Sequence, residues 1–364
     1  MADGTPGYRP LRVAMLAPIA WRTPPHHYGP WELATSMLTE ALVRRGVDVT
    51  LFATLDSETG GRLEGVVPRP YNEDPSVDAK VWEMRHVAHV MERADEFDII
   101  HNQADFVPLA FSRLIATPII TTLHGMPSER ILPVLREYQN DVAYVAISET
   151  DRNPALRYAA TIAHGIDVAS FPFREAAPQE LLFFGRIHPD KGTATAIRVA
   201  QAAGLPLHIA GIVQDQPYFE TEVQPWIDGI RVRFSGALGG RARLDALGSA
   251  AALLHLIDFE EPFGLSVVEA LACGTPVIAF GRGSIPDLVC HGRTGFVVDT
   301  IEQAVAAVGR LGSINRLDCR TDVETRFSVE RMALEYHELY KSVVADHTRG
   351  VSRLDAALRI HVPG

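Results

Sequence analysis

The chain has little of what would mark it as secreted, membrane-spanning or nucleic-acid-binding. Only three cysteines occur in 364 residues, Cys273, Cys290 and Cys319. Their number is odd and their spacing unpaired, so free thiols in a reducing cytoplasm are expected rather than a disulfide framework or a zinc site. No apolar run is long enough to cross a bilayer. Met1 to Pro10 is polar with Gly and Pro, unlike a secretory leader. Positive charge is also scarce. Lys and Arg total 34 against 45 Asp and Glu, a formal net charge of −11 with 14 His neutral. That balance disfavours nucleic acid and broad anionic membrane surfaces as partners. Several catalytic signatures are missing: the P-loop, the G-x-S-x-G nucleophile elbow, the G-x-G-x-x-G nicotinamide turn and zinc-spaced ligands.

What is present is a soluble balance, 47% hydrophobic and 22% charged, in a chain long enough for two domains. Short buried strands alternate with helices. Arg12–Ala17, Val47–Phe52, Asp98–His101, Pro118–Thr122 and Tyr144–Ile147 read as strands, with a helix over Trp31–Arg45 stopped by Gly46. The pattern then restarts with strands at Leu181–Gly185, Leu207–Gly211, Val232–Phe234, Ala252–Leu256 and Val277–Phe280, and a helix over Thr193–Ala203. Such alternation predicts two α/β domains, each a doubly wound parallel sheet. The boundary falls in Asp167–Pro178, where prolines and charges interrupt the pattern. The expected division is 1–170, 171–328, a final helix over 329–345 and an unassigned tail over 346–364.

The most informative segment runs from Glu261-Pro262-Phe263-Gly264-Leu265 to Glu269 and on to Gly274. A Phe-Gly turn precedes an apolar helix start, and Gly274 is a C-terminal stop. One carboxylate thus lies in a loop before a helix N-terminus and the second about two turns along, roughly 12 Å away. A helix N-terminus attracts anions through its free N–H groups and dipole. Carboxylates on either side could hold hydroxyls flanking a diphosphate, the layout of a nucleotide sugar. A second constellation, Gly185-Arg186-Ile187-His188-Pro189-Asp190-Lys191-Gly192, follows a strand and precedes a helix, where α/β sheets bind ligands. Arg supplies a fork for phosphate and Lys a point charge. Plain surface glutamates and a solvated charged loop are the competing readings.

These segments resemble the E-x7-E signature and the G-R-x(4)-K-G motif of retaining glycosyltransferases of family 4, which have the GT-B fold. The resemblance extends from Arg12 to about Val344. It implies two Rossmann-like domains facing a central cleft, with the C-terminal helix packing back on the first. It implies that Arg186 and Lys191 hold the donor diphosphate, that Glu261 contacts the donor sugar and that Glu269 contacts the ribose. The turn residues Phe263, Gly264 and Leu265 join the donor-binding set. Within Pro24-Pro25-His26-His27-Tyr28-Gly29-Pro30-Trp31-Glu32, Gly29 matches the family's glycine-rich loop. Pro30 stands where a second glycine is usual, which removes one N–H, although Pro suits the first helical position. His124, in Thr121-Thr122-Leu123-His124-Gly125, matches a family His that approaches the donor sugar. Catalytic candidates are therefore Glu261, Arg186, Lys191 and His124. His101-Asn102-Gln103-Ala104-Asp105 ends a neighbouring strand, and Asn102 and Asp105, with Arg130, are acceptor-side candidates. Loop capping competes as an explanation for the first two; Trp31 is a weaker candidate or a core residue. His164-Gly165-Ile166-Asp167 resembles the family's N-G-[IV]-D turn, with His for Asn. Ser284-Ile285-Pro286-Asp287 and His291 to Phe296 fit the downstream pattern and read as turns.

No D-x-D motif occurs, so the metal-dependent glycosyltransferase architecture gains no support. The expectation is metal-independent, retaining transfer of a hexosyl group from a UDP-glucose or GDP-mannose type donor to a soluble hydroxyl acceptor, with no cofactor and no stable membrane insertion. An epimerase or hydrolase of the same fold and a non-catalytic nucleotide-sugar binder remain as alternatives. A nicotinamide dehydrogenase is more distant. Nucleotide base, sugar, acceptor and oligomeric state are left open.

Overall fold

The computed structural model describes residues 9–26, 29–176 and 179–359, with side chains to 350. Of the motif residues above, His27 and Tyr28 lie outside the described residues, as does Pro178 of the interdomain segment. The chain divides into two compact units. One comprises residues 1–147, 152–165 and 332–364, the other residues 148–151 and 166–331.

The first unit is built on a seven-stranded parallel sheet. Its strands are β1 (Arg12–Leu16), β2 (Asp48–Phe52), β3 (Arg62–Glu64), β4 (Ile99–Asn102), β5 (Ile119–Leu123), β6 (Val142–Ala146) and β7 (Ala160–Thr161). They lie in the order β3-β2-β1-β4-β5-β6-β7. The central strands are buried along nearly their whole length because helices cover both faces of such a sheet. The helices are α1 (Pro30–Arg44), α2 (Ala79–Met91) and α3 (Leu132–Tyr138). Asp78 caps α2 by accepting a 2.9 Å hydrogen bond from the Val81 N–H. One core cluster under the sheet gathers Leu16, Phe52, Val90, Ile100, Leu135 and Tyr144.

The second unit carries β8 (Leu181–Phe184), β9 (Leu207–Ala210), β10 (Val232–Phe234), β11 (Ala252–His255), β12 (Val277–Phe280) and β13 (Gly295–Val298). Their order is β10-β9-β8-β11-β12-β13, all pairs parallel. The strand order reverses between β8 and β11, and ligands of open α/β sheets bind at the carboxyl ends flanking such a point. The helices are α4 (Thr193–Ala203), the short α5 (Gln216–Tyr218), α6 (Gly240–Gly248), α7 (Leu265–Ala272), α8 (Ile285–Leu288), α9 (Ile301–Val308) and α10 (Arg316–Arg326).

The last helix, α11 (Val329–Arg359), runs fourteen residues beyond the expected end at 345 and so takes up most of the tail left unassigned. From Met332 onward it belongs to the first unit. Its Tyr340 hydroxyl lies 2.6 Å from His101 Nδ1, and its Tyr336 hydroxyl 2.8 Å from Thr122 Oγ1. All four side chains are buried. His101, at the end of β4, therefore serves the docking of this helix.

The segment His291–Phe296, expected as a turn, instead leads into strand β13 at the edge of the second sheet. Gly295 opens that strand, and a Cβ there would come within 2.0 Å of the Val277 carbonyl oxygen. Only a glycine lets the two strands approach, which hid the strand from its composition.

Candidate active site

In the second unit, the loops leaving β8 and β11 converge at the point of strand reversal. Gly192, at φ +74°, brings the first of these loops against the other: a Cβ there would sit 1.8 Å from the Leu256 carbonyl oxygen. The Asp258 N–H donates to the Asp190 carbonyl at 2.7 Å and locks the two loops together. Lys191 is thereby placed 3.3 Å from Glu261, Nζ to Oε2. His255 Nε2 approaches the same carboxylate oxygen at 3.3 Å, off the line of a well-aligned hydrogen bond. Lys191 Nζ also lies 4.0 Å from the centre of the Phe259 ring.

Both members of the pair are largely buried, with side chains 15% and 12% exposed. Burial lowers the Lys191 pKa, and the Glu261 charge opposes the fall. Burial likewise works to raise that of Glu261, but His255 and Lys191 overcome it and hold the carboxyl below its usual range. Arg186, half-buried at the exit of β8, donates to Gln214.

Gly264, at φ +85°, is the N-cap of α7. The first N–H groups of α7, those of Leu265 and Ser266, precede the helix's own carbonyl acceptors and stay available to a ligand. Phe263 differs from its assignment as a donor-binding residue. Its ring is 4% exposed and packs edge-on against Phe327, so the side chain serves the core. Glu269, within α7, is buried and receives the Arg243 guanidinium from α6. Burial raises its pKa, and Arg243 counteracts this.

In the first unit, Gly29 caps α1 at φ +151°, where a Cβ would press on Pro25 at 2.9 Å. Glycine is thus required there for backbone reasons. Pro30 occupies the first turn of α1. His124, at the end of β5, stands between two rings. Trp31 stacks on it at 5.1 Å between centroids and His164 at 5.3 Å. Its Nδ1 lies 3.4 Å from His164 Nε2, while its Nε2 has no partner in the protein. Burial and the neighbouring histidines push its pKa well below normal, so the imidazole is neutral. Trp31 is 38% exposed, so it is not a core residue.

The acceptor-side candidates separate. Asn102 is fully buried, and its amide is consumed locally: Nδ2 donates to the Asp105 carbonyl at 2.7 Å and Oδ1 accepts from the Ala104 N–H at 2.8 Å. It shapes a turn in which Asp105 takes a left-handed conformation, φ +60°. Asp105 itself lines a cavity. Arg130 is exposed in the turn ahead of α3 and does not line it.

That cavity, about 460 Å³, lies at the carboxyl ends of β1 and β4, beside the start of α1. Its walls include Glu32, Tyr71, Glu83, His86 and Asp105, with Trp21, Trp31 and Phe106 supplying aromatic surface. Glu32 is 2% exposed, and burial raises its pKa to about 7 although the Trp21 N–H donates to it at 3.1 Å. Burial also moves Tyr71 up to about 12, helped by Glu83 and Glu32. Asp105 is raised by burial as well. His86 falls to about 4 on burial and is neutral. Its Nε2 meets the Ala17 carbonyl at 3.0 Å. A carbonyl only accepts, so Nε2 carries the proton and the unpartnered Nδ1 is a bare acceptor. Glu32, Glu83, Tyr71 and His86 in this wall, and Arg243 and His255 in the second unit, escaped the sequence reading. The detectable signal for His255 was a polar residue closing a buried strand.

Among the described residues, no group of three or more His, Cys, Asp or Glu is arranged to hold a metal ion, and no helix is long and apolar enough to cross a membrane. The three cysteines are free, with Cys273 and Cys319 buried.

Two family models match end to end: Glycosyltransferase Family 4 over residues 32–169 and Glycosyl transferases group 1 over residues 170–317. The glycogen synthase of Mycobacterium tuberculosis is 25% identical over 342 aligned positions, covering 78% of this chain and 81% of that protein. Among solved structures, AviGT4, a glycosyltransferase of avilamycin A biosynthesis, superposes with a TM-score of 0.70 at 24% identity, over 93% of this chain and 99% of its own. HepE of Anabaena, in complex with UDP-glucose, does so at 0.68 and 19% identity, over 91% and 100%. Two Rossmann-like parallel sheets, a paired Lys and Glu at the strand reversal of the second, and the two models spanning both units converge: the chain belongs to the glycosyltransferases of the family-4 type, with the GT-B fold.

Proposed function

We propose that the protein transfers a hexosyl group from a nucleotide-diphosphate sugar of UDP-glucose or GDP-mannose type to a hydroxyl acceptor, with retention and without a metal, in the cytoplasm. The observation that carries this reading is the Lys191–Glu261 pair at the carboxyl ends of β8 and β11. A diphosphate entering there would take Lys191 from its present partner, and the sugar hydroxyls would take Glu261. Arg186 and the N–H groups at the start of α7 would complete the cradle, and Glu269 would accept from the ribose hydroxyls in exchange for Arg243. The presence of UDP and glucose in HepE structures of like fold supports the donor class.

In the reaction, the bond from the sugar's anomeric carbon to the diphosphate oxygen breaks, and a bond to the acceptor oxygen forms. The acceptor's proton passes to the departing diphosphate. Arg186, Lys191 and the helix N–H groups stabilise the charge growing on that leaving group, which is electrostatic preorganisation. Two fixed cations do the work a metal does elsewhere. Glu261 is held ionised by its histidine and lysine neighbours, which suits it to accepting hydrogen bonds from sugar hydroxyls. Front-face attack, with retention and without a glycosyl-enzyme, is the route proposed. His124, neutral and with Nε2 unpartnered, keeps a hydrogen-bonding group available in the first unit.

The test is thermal unfolding with UDP, GDP and ADP, on wild type and Lys191→Ala. A ligand at about 100 times its Kd adds about 2.7 kcal/mol to stability. One diphosphate should raise the wild-type melting temperature, and the variant should lose most of the shift. No shift with any of the three at millimolar concentration defeats the donor assignment.

A further inference from the structure

The cavity of the first unit offers a ligand acceptors in several directions. Glu32, Glu83 and Asp105 line it with carboxyl groups, and Tyr71 with a phenol. A wall rich in acceptors is matched by a donor-rich molecule. The described lining contains no lysine or arginine. Trp31, 38% exposed, adds a flat apolar surface against which the C–H face of a ring can lie.

A phosphate group carries charge of the same sign as these carboxylates and, when fully ionised, only acceptors. It would meet repulsion. A neutral polyol would satisfy part of the carboxylates. An ammonium group brings three donors and the opposite charge. We propose that this cavity holds the acceptor and selects one bearing an ammonium group beside its hydroxyls, an amino sugar or aminocyclitol, while rejecting phosphorylated acceptors. The ammonium is the handle and not the nucleophile, because its nitrogen has no lone pair; a hydroxyl of the same molecule attacks. The transfer step rests on the function proposed above, whereas the selection is a property of the first unit alone.

The experiment compares glucose, glucosamine and glucose 6-phosphate by ligand-observed NMR on the full chain without donor, alongside the UDP and GDP melting shifts. Glucosamine should bind about 10- to 100-fold more tightly than glucose 6-phosphate, the range of one or two charge-assisted hydrogen bonds. Glu83→Lys, at a half-buried helix position, should abolish or reverse that preference; Glu83→Gln, which keeps the shape, should reduce it. Equal or tighter binding of glucose 6-phosphate, no binding of any of the three at millimolar concentration, or a preference untouched by both Glu83 variants overturns the proposal. A nucleotide shift without a glucosamine preference removes the acceptor selection and leaves the donor site standing. A glucosamine preference without a nucleotide shift does the reverse.

Discussion

The two parallel sheets are built alike and armed oppositely. At the carboxyl ends of β8 and β11, cations meet carboxylates: Lys191 with Glu261, and deeper in the unit Arg243 with Glu269. At the carboxyl ends of β1 and β4 the described wall holds carboxyls, a tyrosine and a neutral histidine. The same scaffold thus yields one site whose charges are compensated before any ligand arrives and another whose acceptors are not. A compensated pair exchanges partners at modest cost, which suits a substrate that binds and leaves as a dianion. Burial raises the Glu32 pKa to about 7, so near neutral pH this carboxyl is only about half ionised until a donor or a cation draws the proton off.

The comparison breaks most sharply at the cations. Arg186→Ala and Lys191→Ala should each lower kcat by about 100- to 1,000-fold, the effect of deleting one group that stabilises a developing oxyanion. Steady-state rates at saturating donor check this; near-normal turnover would sink the electrostatic role.

The next effect is a pH dependence in the other sheet. Burial lifts Glu32 from 4.5 to about 7, so the folded state binds its proton more tightly than the unfolded chain. Its contribution is fully present below about pH 4.5 and is lost as pH rises through 7. Glu32→Gln should therefore gain on wild type across that window, by up to about 3 kcal/mol. His86, lowered from 6.5 to about 4, has the opposite slope, and its contribution is lost as pH falls. With Glu32 replaced, denaturant titrations from pH 4.5 to 8 should show the acid decline uncovered. Parallel curves for the two proteins would contradict the burial of Glu32.

Smaller still is Asn102→Ala. Loss of the amide that shapes the Asp105 turn should cost about 1–3 kcal/mol of stability and weaken acceptor more than donor, seen as a raised acceptor KM at unchanged UDP affinity. Arg130→Ala marks the floor. At an exposed turn it should move stability by less than about 0.5 kcal/mol and leave both KM values alone; a clear rise in acceptor KM would restore it to the site.

Much of this architecture was readable in the chain because parallel strands covered on both faces are continuous apolar runs. The strands flanking the proposed donor site were found within a residue of their ends. What escaped lacked that signal. β3 and β7 are three and two residues long. In α2, Val81 and Met84 are exposed while His86 is buried, so polarity and burial run against each other along the helix. Glu32 was unreadable for a related reason. A glutamate in the first turn of a helix ordinarily faces water and the helix dipole; here distant segments carrying Trp21 and Tyr71 close over it. Asn102 shows the converse, a polar residue at a strand end that is spent on its own turn. Arg186, Lys191 and Glu261 lie where loops leave strands, places that the sequence order of strands fixes, whereas Glu269, within α7, was picked out by its spacing from Glu261 and by the family motif.

The docking of α11 also bears on how the protein is made. Residues 12–147 of the first unit emerge from the ribosome before the second unit, yet Tyr336 and Tyr340, which cover His101 and Thr122, are translated after it. The entire second unit is synthesised in between. During that interval the nascent first sheet carries an uncovered strip holding His101 and Thr122. The second unit, contiguous apart from one short segment, can reach its native state first, and the older half of the chain is completed last.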